Sequence, residues 1–368
     1  MKKVVLSGYY GFNNIGDEAV LIAIVQALKK EIPDVEITVL SYDPPRTEKQ
    51  LKVKAVNRWR LSQIIGAIKE CDLFISGGGS LLQDVTGKKS ILYYLGIITI
   101  ALWWKKPTMI YAQGIGPVQS SWARKLVGQV LNKMDLISVR DEASRADLSA
   151  MGVTRPPMYV TVDPVMGLER GEDIPIMNKI PLLNEDDRRM VGISLRQWPG
   201  LDLKECAKFA DYLAEQGFKV VFLPFHFPED ISVCRDAAKL MQQENYLIKD
   251  NLTPMEMMHV VGKMDLVVGM RLHALIMSGA QGVPFLAIEY DPKVGRYANL
   301  MGTEPACSVE AMSHKILLKK AEQILADYSL IRESLLQKAR WCRLEAQKPA
   351  QWAAEIVNRS NSKKGSKV

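Results

Sequence analysis

The chain has 368 residues, more than one ordinary hydrophobic core accommodates, and this length predicts two domains. Hydrophobic residues make up 48% and charged residues 24%, a composition that excludes a disordered or fibrous protein. The formal net charge of +7 indicates an anionic partner, but aromatic and basic residues do not interleave as they do in nucleic-acid-binding proteins.

The cysteines and the N-terminus indicate a protein of the cytoplasm. The five cysteines are scattered, odd in number and without CxxC spacing, which predicts reduced thiols. The opening MKKVVLSGYYG turns polar after three apolar residues and does not predict a signal peptide. Because no His, Cys and carboxylate cluster has the spacing of metal ligands, we expect neither a metal nor a cofactor.

Runs typical of β-strands alternate with helical patterns along the first half of the chain. The strand-like runs are KKVVLSG, EITVLSY, VKAV, CDLFISGGG, PTMIYAQG, DLISVRD and MYVTVDPV. The first helical stretch carries Asp17 and Glu18 at its start and Lys29 and Lys30 at its end, as the helix dipole favours. This alternation predicts an N-terminal Rossmann-like domain over residues 1–168 with a mostly parallel sheet.

The pattern breaks and then restarts in the second half. A charged, aperiodic segment predicts a linker over residues 169–188, and MVGISLR, FKVVFLPF, NYLIKD, MDLVVGM and PFLAIEY predict a second Rossmann-like domain over residues 189–307. Helical patterns alone follow over residues 308–360, and SKKGSKV closes a tail, residues 361–368, that we expect to be disordered. The fold class is therefore α/β, with two facing domains and a cleft between them.

The longest apolar run, ILYYLGIITIALWW over residues 91–104, has two interpretations. It is shorter than the roughly 20 residues that span a bilayer. It is either a buried core helix or an interfacial helix. In the interfacial case Trp103 and Trp104 would lie at headgroup depth, and lysine pairs at 88–89 and 105–106 would contact anionic lipid.

Polar residues follow the predicted strands of the first domain, at the edge where parallel sheets bind ligands. The first loop, SGYYGFNNIGDEAV, matches neither GxGxxG nor a Walker P-loop. Asp17 and Glu18 would repel a phosphate there, so a sugar hydroxyl suits this loop better, unless it is only a tight turn with acidic capping.

Three further strand ends repeat this composition. FISGGGSLLQD offers Gly77, Gly78 and Gly79 as a bare ligand wall, followed by Ser80, Gln83 and Asp84. YAQGIGPV presents Gln113, Gly114 and Gly116, and SVRDEAS presents Arg140 and Asp141, where Arg140 either contacts the ligand or forms a structural ion pair.

The strongest pattern lies in the second domain, in DLVVGMRLHALIMSGAQGVPFLAIEYDPKVGRY. Arg271 and His273 fall in the first turn of a helix, where cations oppose the dipole unless an anion compensates them. Lys293 and Arg296 follow the next strand and reach the same edge. These four residues predict a site for a compact trianion, unless His273 merely caps the end of the strand.

The motifs SGYYGFNNIGDEAV, ISGGGSLLQD, YAQGIGP, SVRDEAS and GMRLHALI together resemble the polysaccharide pyruvyltransferases, over about residues 4–345. The likeness is to the CsaB type, which modifies a secondary cell-wall polymer that anchors a surface layer. The resemblance implies a GT-B-like fold without a cofactor. It also implies transfer of pyruvate from phosphoenolpyruvate (PEP), as a 4,6-ketal, to N-acetylmannosamine of a lipid-diphosphate-linked disaccharide. It further implies peripheral contact with the inner face of the cytoplasmic membrane.

The resemblance also assigns residues. The RLH motif falls on Arg271, Leu272 and His273, and further PEP-binding positions fall on Arg140 and Lys293. We expect His273 and Arg271 to be catalytic, with His273 as the acid–base group. The full expected sets are Arg140, Arg271, His273, Lys293 and Arg296 for PEP, and Gly11, Asn13, Asn14, Asp17, Gly78, Gly79, Gln83 and Gln113 for the acceptor.

Two other functions fit the same residues. A GT-B glycosyltransferase that uses a nucleotide sugar would share the fold, and Glu289 would then read the ribose. A non-catalytic module for an anionic polymer would spread its basic residues over one exposed face, whereas here they cluster at strand ends.

Overall fold

The computed structural model describes residues 1–84, 88–169, 180, 183 and 187–365, and it confirms the predicted α/β class. The chain divides into two compact units. The first unit comprises Met1–Phe12, Asp17–Leu168 and Cys342–Val368, and the second comprises Asn13–Gly16 and Glu169–Trp341.

The first unit is built on a parallel sheet. Its strands are β1 Lys2–Ser7, β2 Val35–Ser41, β3 Lys54–Asn57, β4 Leu73–Ser76, β5 Gly79–Leu82, β6 Thr108–Ile115, β7 Leu136–Val139 and β8 Met158–Val160. They are arranged in the order β3-β2-β1-β4-β6-β7-β8, with β5 paired to β6. This order, which starts in the middle and runs outward in both directions, is that of a Rossmann fold.

Helices cover this sheet and bury its apolar side chains. They are α1 Ile15–Glu31, α2 Pro44–Leu51, α3 Leu61–Glu70, α4 Lys88–Trp103, α5 Ser121–Leu131 and α6 Glu142–Ala150, followed by a 3-10 turn at Pro164–Gly167. Strands β4, β6 and β7 are buried along their whole length, as expected of parallel strands covered on both faces.

The second unit is also built on a parallel sheet, with strands β9 Met190–Ser194, β10 Lys219–Phe222, β11 Asn245–Leu247, β12 Leu266–Gly269, β13 Phe285–Glu289 and β14 Cys307–Ser308. These strands are arranged in the order β11-β10-β9-β12-β13-β14. Its helices are α7 Leu203–Glu215, α8 Glu229–Leu240, α9 Pro254–Val261, α10 Leu272–Ala280, α11 Pro292–Leu300 and α12 His314–Ala326.

The chain closes with α13, Tyr328–Gly365, which belongs to the second unit up to Trp341 and to the first unit from Cys342 onward. Residues 361–365, expected to form part of a disordered tail, continue this helix, and residues 366–368 lie outside the described residues. Most of the predicted linker also lies outside them, namely 170–179, 181–182 and 184–186.

Helix α4 carries the long apolar run, and most of that run is core. Ile91, Leu95 and Ile98 are buried in the hydrophobic cluster of the first unit, while Leu92 and Trp103 are exposed. Of the flanking lysines, Lys106 donates from its ammonium to the Cys71 carbonyl at 2.8 Å and Lys105 is exposed, while the side chains of Lys88 and Lys89 lie outside the described part. Within the described ranges, no helix is long and apolar enough to cross a bilayer.

Candidate functional site

The carboxyl edge of the second sheet gathers cations because its central strands end in register. Ser194 at the end of β9 pairs with Gly269 at the end of β12, and the Met270 N–H extends the ladder to the Ser194 carbonyl at 2.9 Å. Arg196 and Arg271 each lie two residues beyond this last pair. The backbone therefore brings two arginines to neighbouring positions at the edge where parallel sheets bind ligands.

Arg271 is held by a buried carboxylate that the sequence analysis did not identify. Asp230, in the first turn of α8, is 1% exposed and accepts from Arg271 Nε at 2.8 Å and from Nη2. Its Oδ2 also accepts from the backbone N–H groups of Phe225 at 3.1 Å and His226 at 2.9 Å. An arginine has five N–H donors, so Asp230 fixes the orientation of the guanidinium and leaves three donors for other acceptors.

Arg196 is the second cation at this edge, and sequence reasoning missed it, although its position at the end of the strand-like run MVGISLR was a usable signal. Its Nη1 donates to the Tyr290 hydroxyl at 3.1 Å, and its guanidinium lies 5.2 Å from the centres of the Trp198 and Tyr290 rings. Among the described residues, no carboxylate pairs with Arg196. Aromatic faces therefore hold this cation in place without neutralising it.

Lys293 lies in the first turn of the neighbouring helix and already has an acidic partner. Asp291 caps α11 by accepting the Lys293 N–H at 3.0 Å, and its Oδ2 lies 3.2 Å from the Lys293 Nζ. Asp230 and Asp291 therefore already pair with Arg271 and Lys293 within the chain. Arg296, in the second turn of α11, is half-buried.

His273 lies in the first turn of α10, and the glycine of the NIGD motif lies directly against it. A Cβ on Gly16 would come within 2.1 Å of His273 Nδ1, a distance that no side chain tolerates. Residues Asn13–Gly16 belong to the second unit, where the Ile15 N–H donates to the Phe225 carbonyl at 2.9 Å and Asn14 forms a β-bridge with His226. The segment Asn13–Gly16 therefore packs against the RLH motif within the second unit.

In the first unit the predicted glycine wall is mainly a packing device. A Cβ on Gly77 would come within 2.1 Å of the Tyr10 hydroxyl, and one on Gly78 within 2.7 Å of Val20. Gly79 has a φ of +91° and lies against Asp17, with its Cβ position 3.0 Å from Asp17 Oδ1. Of these glycines, Gly79 is the one that places backbone beside a polar group of the expected acceptor site.

Glu18 closes its own loop and does not present a carboxylate to a ligand. It is 7% exposed and accepts the N–H groups of Gly11 at 2.7 Å and Phe12 at 3.1 Å. Burial raises the pKa of Glu18, and these two hydrogen bonds oppose that shift. The loop therefore has the acidic capping of the simpler interpretation at Glu18, while Asp17 remains half-buried beside Gly79.

Gln113 and Arg140 are buried structural residues in this conformation. Gln113 has no exposed surface, and its Nε2 donates to the Ser76 hydroxyl at 3.1 Å and the Gly77 carbonyl at 2.6 Å. Arg140 donates to Asp163 Oδ2 at 3.1 Å and to the Ser80 hydroxyl at 3.1 Å. The structural ion pair left open by the sequence is thus formed with Asp163, and a Cβ on Gly114 would come within 2.6 Å of this guanidinium.

A pocket of about 770 Å³ lies at the opposite, amino-terminal edge of the first sheet. Its lining includes residues that directly precede strands, such as Asp72, Pro107 and Asp135, together with Trp104 and Trp352. Ligands of parallel α/β sheets bind beyond the carboxyl ends of the strands, so this pocket is separate from the candidate site. Among the described residues, no group of three or more His, Cys, Asp and Glu side chains is arranged to hold a metal ion.

Two Rossmann-like units with C-terminal helices define the GT-B class of fold, and solved structures of that class are similar to this chain. UDP-GlcNAc 2-epimerase from Neisseria meningitidis, bound to UDP-GlcNAc, superposes with a TM-score of 0.65 at 14% identity, covering 99% of this chain and 100% of that one. Anabaena Alr3699/HepE in complex with UDP-glucose gives a TM-score of 0.63 at 13% identity, covering 98% and 100%.

The sequence identifies the family. Residues 14–292 match the polysaccharide pyruvyl transferase family, and the chain belongs to that family. It is also 22% identical to the amylovoran biosynthesis protein AmsJ of Erwinia amylovora, over 90% of this chain and 94% of that protein. The chain is therefore a transferase of the pyruvyl transferase family that modifies a polysaccharide.

The contact between Gly16 and His273 predicts a non-additive pair of substitutions. Gly16→Ala should lower the melting temperature, because its Cβ must displace the imidazole, at a cost of about 1–3 kcal/mol. In a His273→Ala background the same change should cost little, because the clashing ring is gone.

Gly66→Ala is the matched control, since no atom lies within 4 Å of its Cβ position in α3. Differential scanning calorimetry gives the melting temperatures of the unchanged protein, the two single variants, the double variant and the Gly66→Ala control. Equal losses from Gly16→Ala in both backgrounds would contradict the packing of Gly16 on His273.

Proposed function

We propose that the chain is a PEP-dependent pyruvyltransferase of the CsaB type. It forms a 4,6-ketal on an N-acetylmannosamine of a lipid-diphosphate-linked disaccharide, in the synthesis of a secondary cell-wall polymer that anchors a surface layer. The observation that carries the proposal is the pair of arginines, Arg196 and Arg271, at equal offsets beyond β9 and β12, with His273 beginning the next helix. Membership of the pyruvyl transferase family supports the type of group that is transferred.

PEP carries a carboxylate and a phosphate, and the second unit offers donors suited to both. Arg271, oriented by Asp230, binds the carboxylate through two parallel N–H groups. Arg196 and Lys293 bind the phosphate, with Arg296 one turn further along α11. Arg140 is left out of this set because its side chain is only 7% exposed, compared with 14% for Arg271 and 25% for Lys293, and already donates to both Asp163 and Ser80.

The reaction needs one proton donor and a base. His273 protonates C3 of PEP, which leaves an oxocarbenium-like centre at C2. A sugar hydroxyl oxygen bonds to C2 as a base takes its proton, the bond from C2 to the phosphate oxygen breaks, and the second hydroxyl closes the ketal. Of the two hydroxyl protons, one replaces the proton that went to C3 and the other leaves with phosphate. The candidate bases are Glu289, Asp291 and Asp17.

The acceptor hydroxyls are assigned to the polar groups near Gly79. Asp17, half-buried beside that glycine, accepts a hydroxyl hydrogen bond, and Gln83 follows on the same strand-end segment. Asn13 and Asn14 precede Gly16, which lies against His273. Gly11, Gly78 and Gln113 support this arrangement from buried positions and contribute no exposed side chain.

Incubation with PEP and a synthetic lipid-diphosphate disaccharide tests the proposal. Mass spectrometry should show one pyruvyl ketal per acceptor, and an equal amount of phosphate should be released. His273→Gln should abolish both signals without unfolding the protein. His314→Gln should retain them, because His314 begins α12 and is paired with Glu205. An unmodified acceptor with the unchanged protein would contradict the proposal.

A nucleotide-sugar glycosyltransferase is the second candidate, because fold relatives are seen with UDP and UDP-glucose. Glu289 would then bind the ribose, but its carboxylate packs against Gly295, with Oε1 only 2.5 Å from the Cβ position there. Thermal-shift titration separates the two candidates. Stabilisation by PEP and not by UDP-sugars supports the pyruvyltransferase, and the reverse supports the glycosyltransferase.

The proposed contact between Arg196 and the phosphate of PEP predicts the effect of removing this arginine. Arg196→Gln should weaken PEP binding about ten- to a hundredfold, because it removes a charge-assisted contact of roughly 1.5–3 kcal/mol. Arg189→Gln is the matched control: this arginine also stacks on an aromatic ring, Phe218 at 4.5 Å, but precedes β9 at the opposite edge. Isothermal titration measures both variants, and equal PEP affinities would remove Arg196 from the site.

The membrane contact expected of α4 is limited to the exposed C-terminal end of this helix. Trp103 is 75% exposed beside exposed Lys105, which suits the headgroup region of an anionic membrane. Trp103→Ser with Lys105→Gln should reduce co-sedimentation with anionic liposomes at low salt, since much of this attraction is screened charge.

Trp341→Ser controls for the loss of an exposed indole, because Trp341 is 52% exposed in the second unit. Undiminished sedimentation of the Trp103 and Lys105 variant would show that α4 is a core helix and nothing more.

A further inference from the structure

Aromatic side chains from three successive strand ends of the first unit form two groups of contacting rings that share one arginine. Tyr9 follows β1, Tyr42 follows β2 and Trp59 follows β3, so all three lie at the carboxyl edge of the sheet. Phe12 stacks between two tyrosines, at 4.1 Å from the Tyr9 ring with an interplanar angle of 6° and at 4.6 Å from the Tyr42 ring. Together with Tyr93, these residues form the aromatic platform, which comprises Tyr9, Phe12, Tyr42, Trp59 and Tyr93.

Arg58 holds this platform together from beneath. Its guanidinium carbon lies 4.4 Å from the centre of the Tyr93 ring, 5.1 Å from that of Phe12 and 5.2 Å from that of Trp59. The residue is 4% exposed, and within the part of the chain that the structure describes no carboxylate pairs with it. Aromatic faces therefore take the place of a counter-ion, and the cation in turn fixes the rings.

Hydrogen bonds tie the same arginine to the glycine loop. Arg58 Nη1 donates to the Gly8 carbonyl at 3.0 Å and Nη2 to the Tyr94 hydroxyl at 3.3 Å, while the Tyr93 hydroxyl donates to the Arg58 carbonyl at 3.0 Å. A platform held in this way does not have to be ordered when a ligand binds, so it avoids the side-chain entropy that flexible contacts lose.

The outer rings face solvent. Trp59 is 61% exposed and Tyr42 is 53% exposed, although large aromatic side chains are usually covered. These two exposed rings lie at the ligand edge of a parallel sheet, and a buried cation holds them in position. Such an arrangement is typical of a binding surface and not of a solvent-exposed part of the hydrophobic core. The C–H groups on the flat face of a pyranose carry partial positive charge and are attracted to the negative face of such rings.

We propose that the aromatic platform binds the apolar face of a hexopyranose ring of the acceptor, with Trp59 and Tyr42 as the contact residues. The proposal rests on the proposed function for the identity of the acceptor, and it adds the surface that recognises the sugar. Arg58 is a positioning residue, since it acts through the rings and is too buried to reach the sugar itself.

Saturation-transfer NMR with the methyl glycoside of N-acetylmannosamine tests the surface without requiring catalysis. The unchanged protein should transfer saturation to the ring protons of the sugar, and Trp59→Ala and Tyr42→Ala should lose most of that signal. Trp59→Phe should keep it because a ring remains, and Trp122→Ala, which removes an indole exposed by 44% on α5, should keep it as well. In steady-state assays Trp59→Ala should raise the acceptor KM about five- to tenfold and leave the PEP affinity unchanged.

Each outcome bears on one of the two claims. No transfer to the sugar in the unchanged protein, or equal transfer in Trp59→Ala, overturns the platform even if pyruvyl transfer is observed. Loss of sugar contact in Trp59→Ala supports the platform even if no pyruvyl transfer occurs, in which case only the proposed function fails. If Trp59→Ala instead reduces liposome sedimentation and leaves sugar contact intact, the rings contact membrane and the proposal is wrong.

Discussion

The buried carboxylate of Asp230 is the group on which the candidate site depends. It accepts from the Arg271 side chain and from the N–H groups of Phe225 and His226, and the strand-end segment that contains these two residues binds Asn14 and Ile15. Removing one partner of such a pair leaves an uncompensated buried charge, which typically costs about 3–5 kcal/mol. A single carboxylate thus fixes both the orientation of an arginine and the segment that brings Gly16 to His273.

In this arrangement the groups that position the two arginines differ from the N–H donors that remain to bind a ligand. Arg271 is already paired and can still donate from its remaining N–H groups, while Arg196 is stacked and not neutralised by a described carboxylate. The first arginine is suited to a planar, geometrically demanding partner such as a carboxylate, and the second to a point of negative charge. The same use of a cation recurs in the first unit, where Arg58 is braced by rings and organises them.

The sequence predicted the two Rossmann-like folds because strand and helix periods alternate strongly, and it predicted the edge of the site because polar motifs follow strands. It did not predict Asp230, since an acid in a first helical turn is read as a cap, and its pairing with Arg271 depends on the spatial order of β10, β9 and β12. The glycine wall was misread in part, because Gly77 and Gly78 leave room for Tyr10 and Val20. Glycine runs are equally suited to ligand approach and to close packing, and sequence alone does not separate the two.

The central claim is that the bond broken in PEP is the one between C2 and oxygen. PEP labelled with ¹⁸O at the oxygen that bridges C2 and phosphorus tests it most directly, with mass spectrometry of the phosphate released as the acceptor is modified. Addition of a sugar hydroxyl at C2 followed by loss of phosphate predicts that all of the bridging label leaves in phosphate. Unlabelled phosphate would mean that the P–O bond breaks instead, and it would contradict ketal formation at this site.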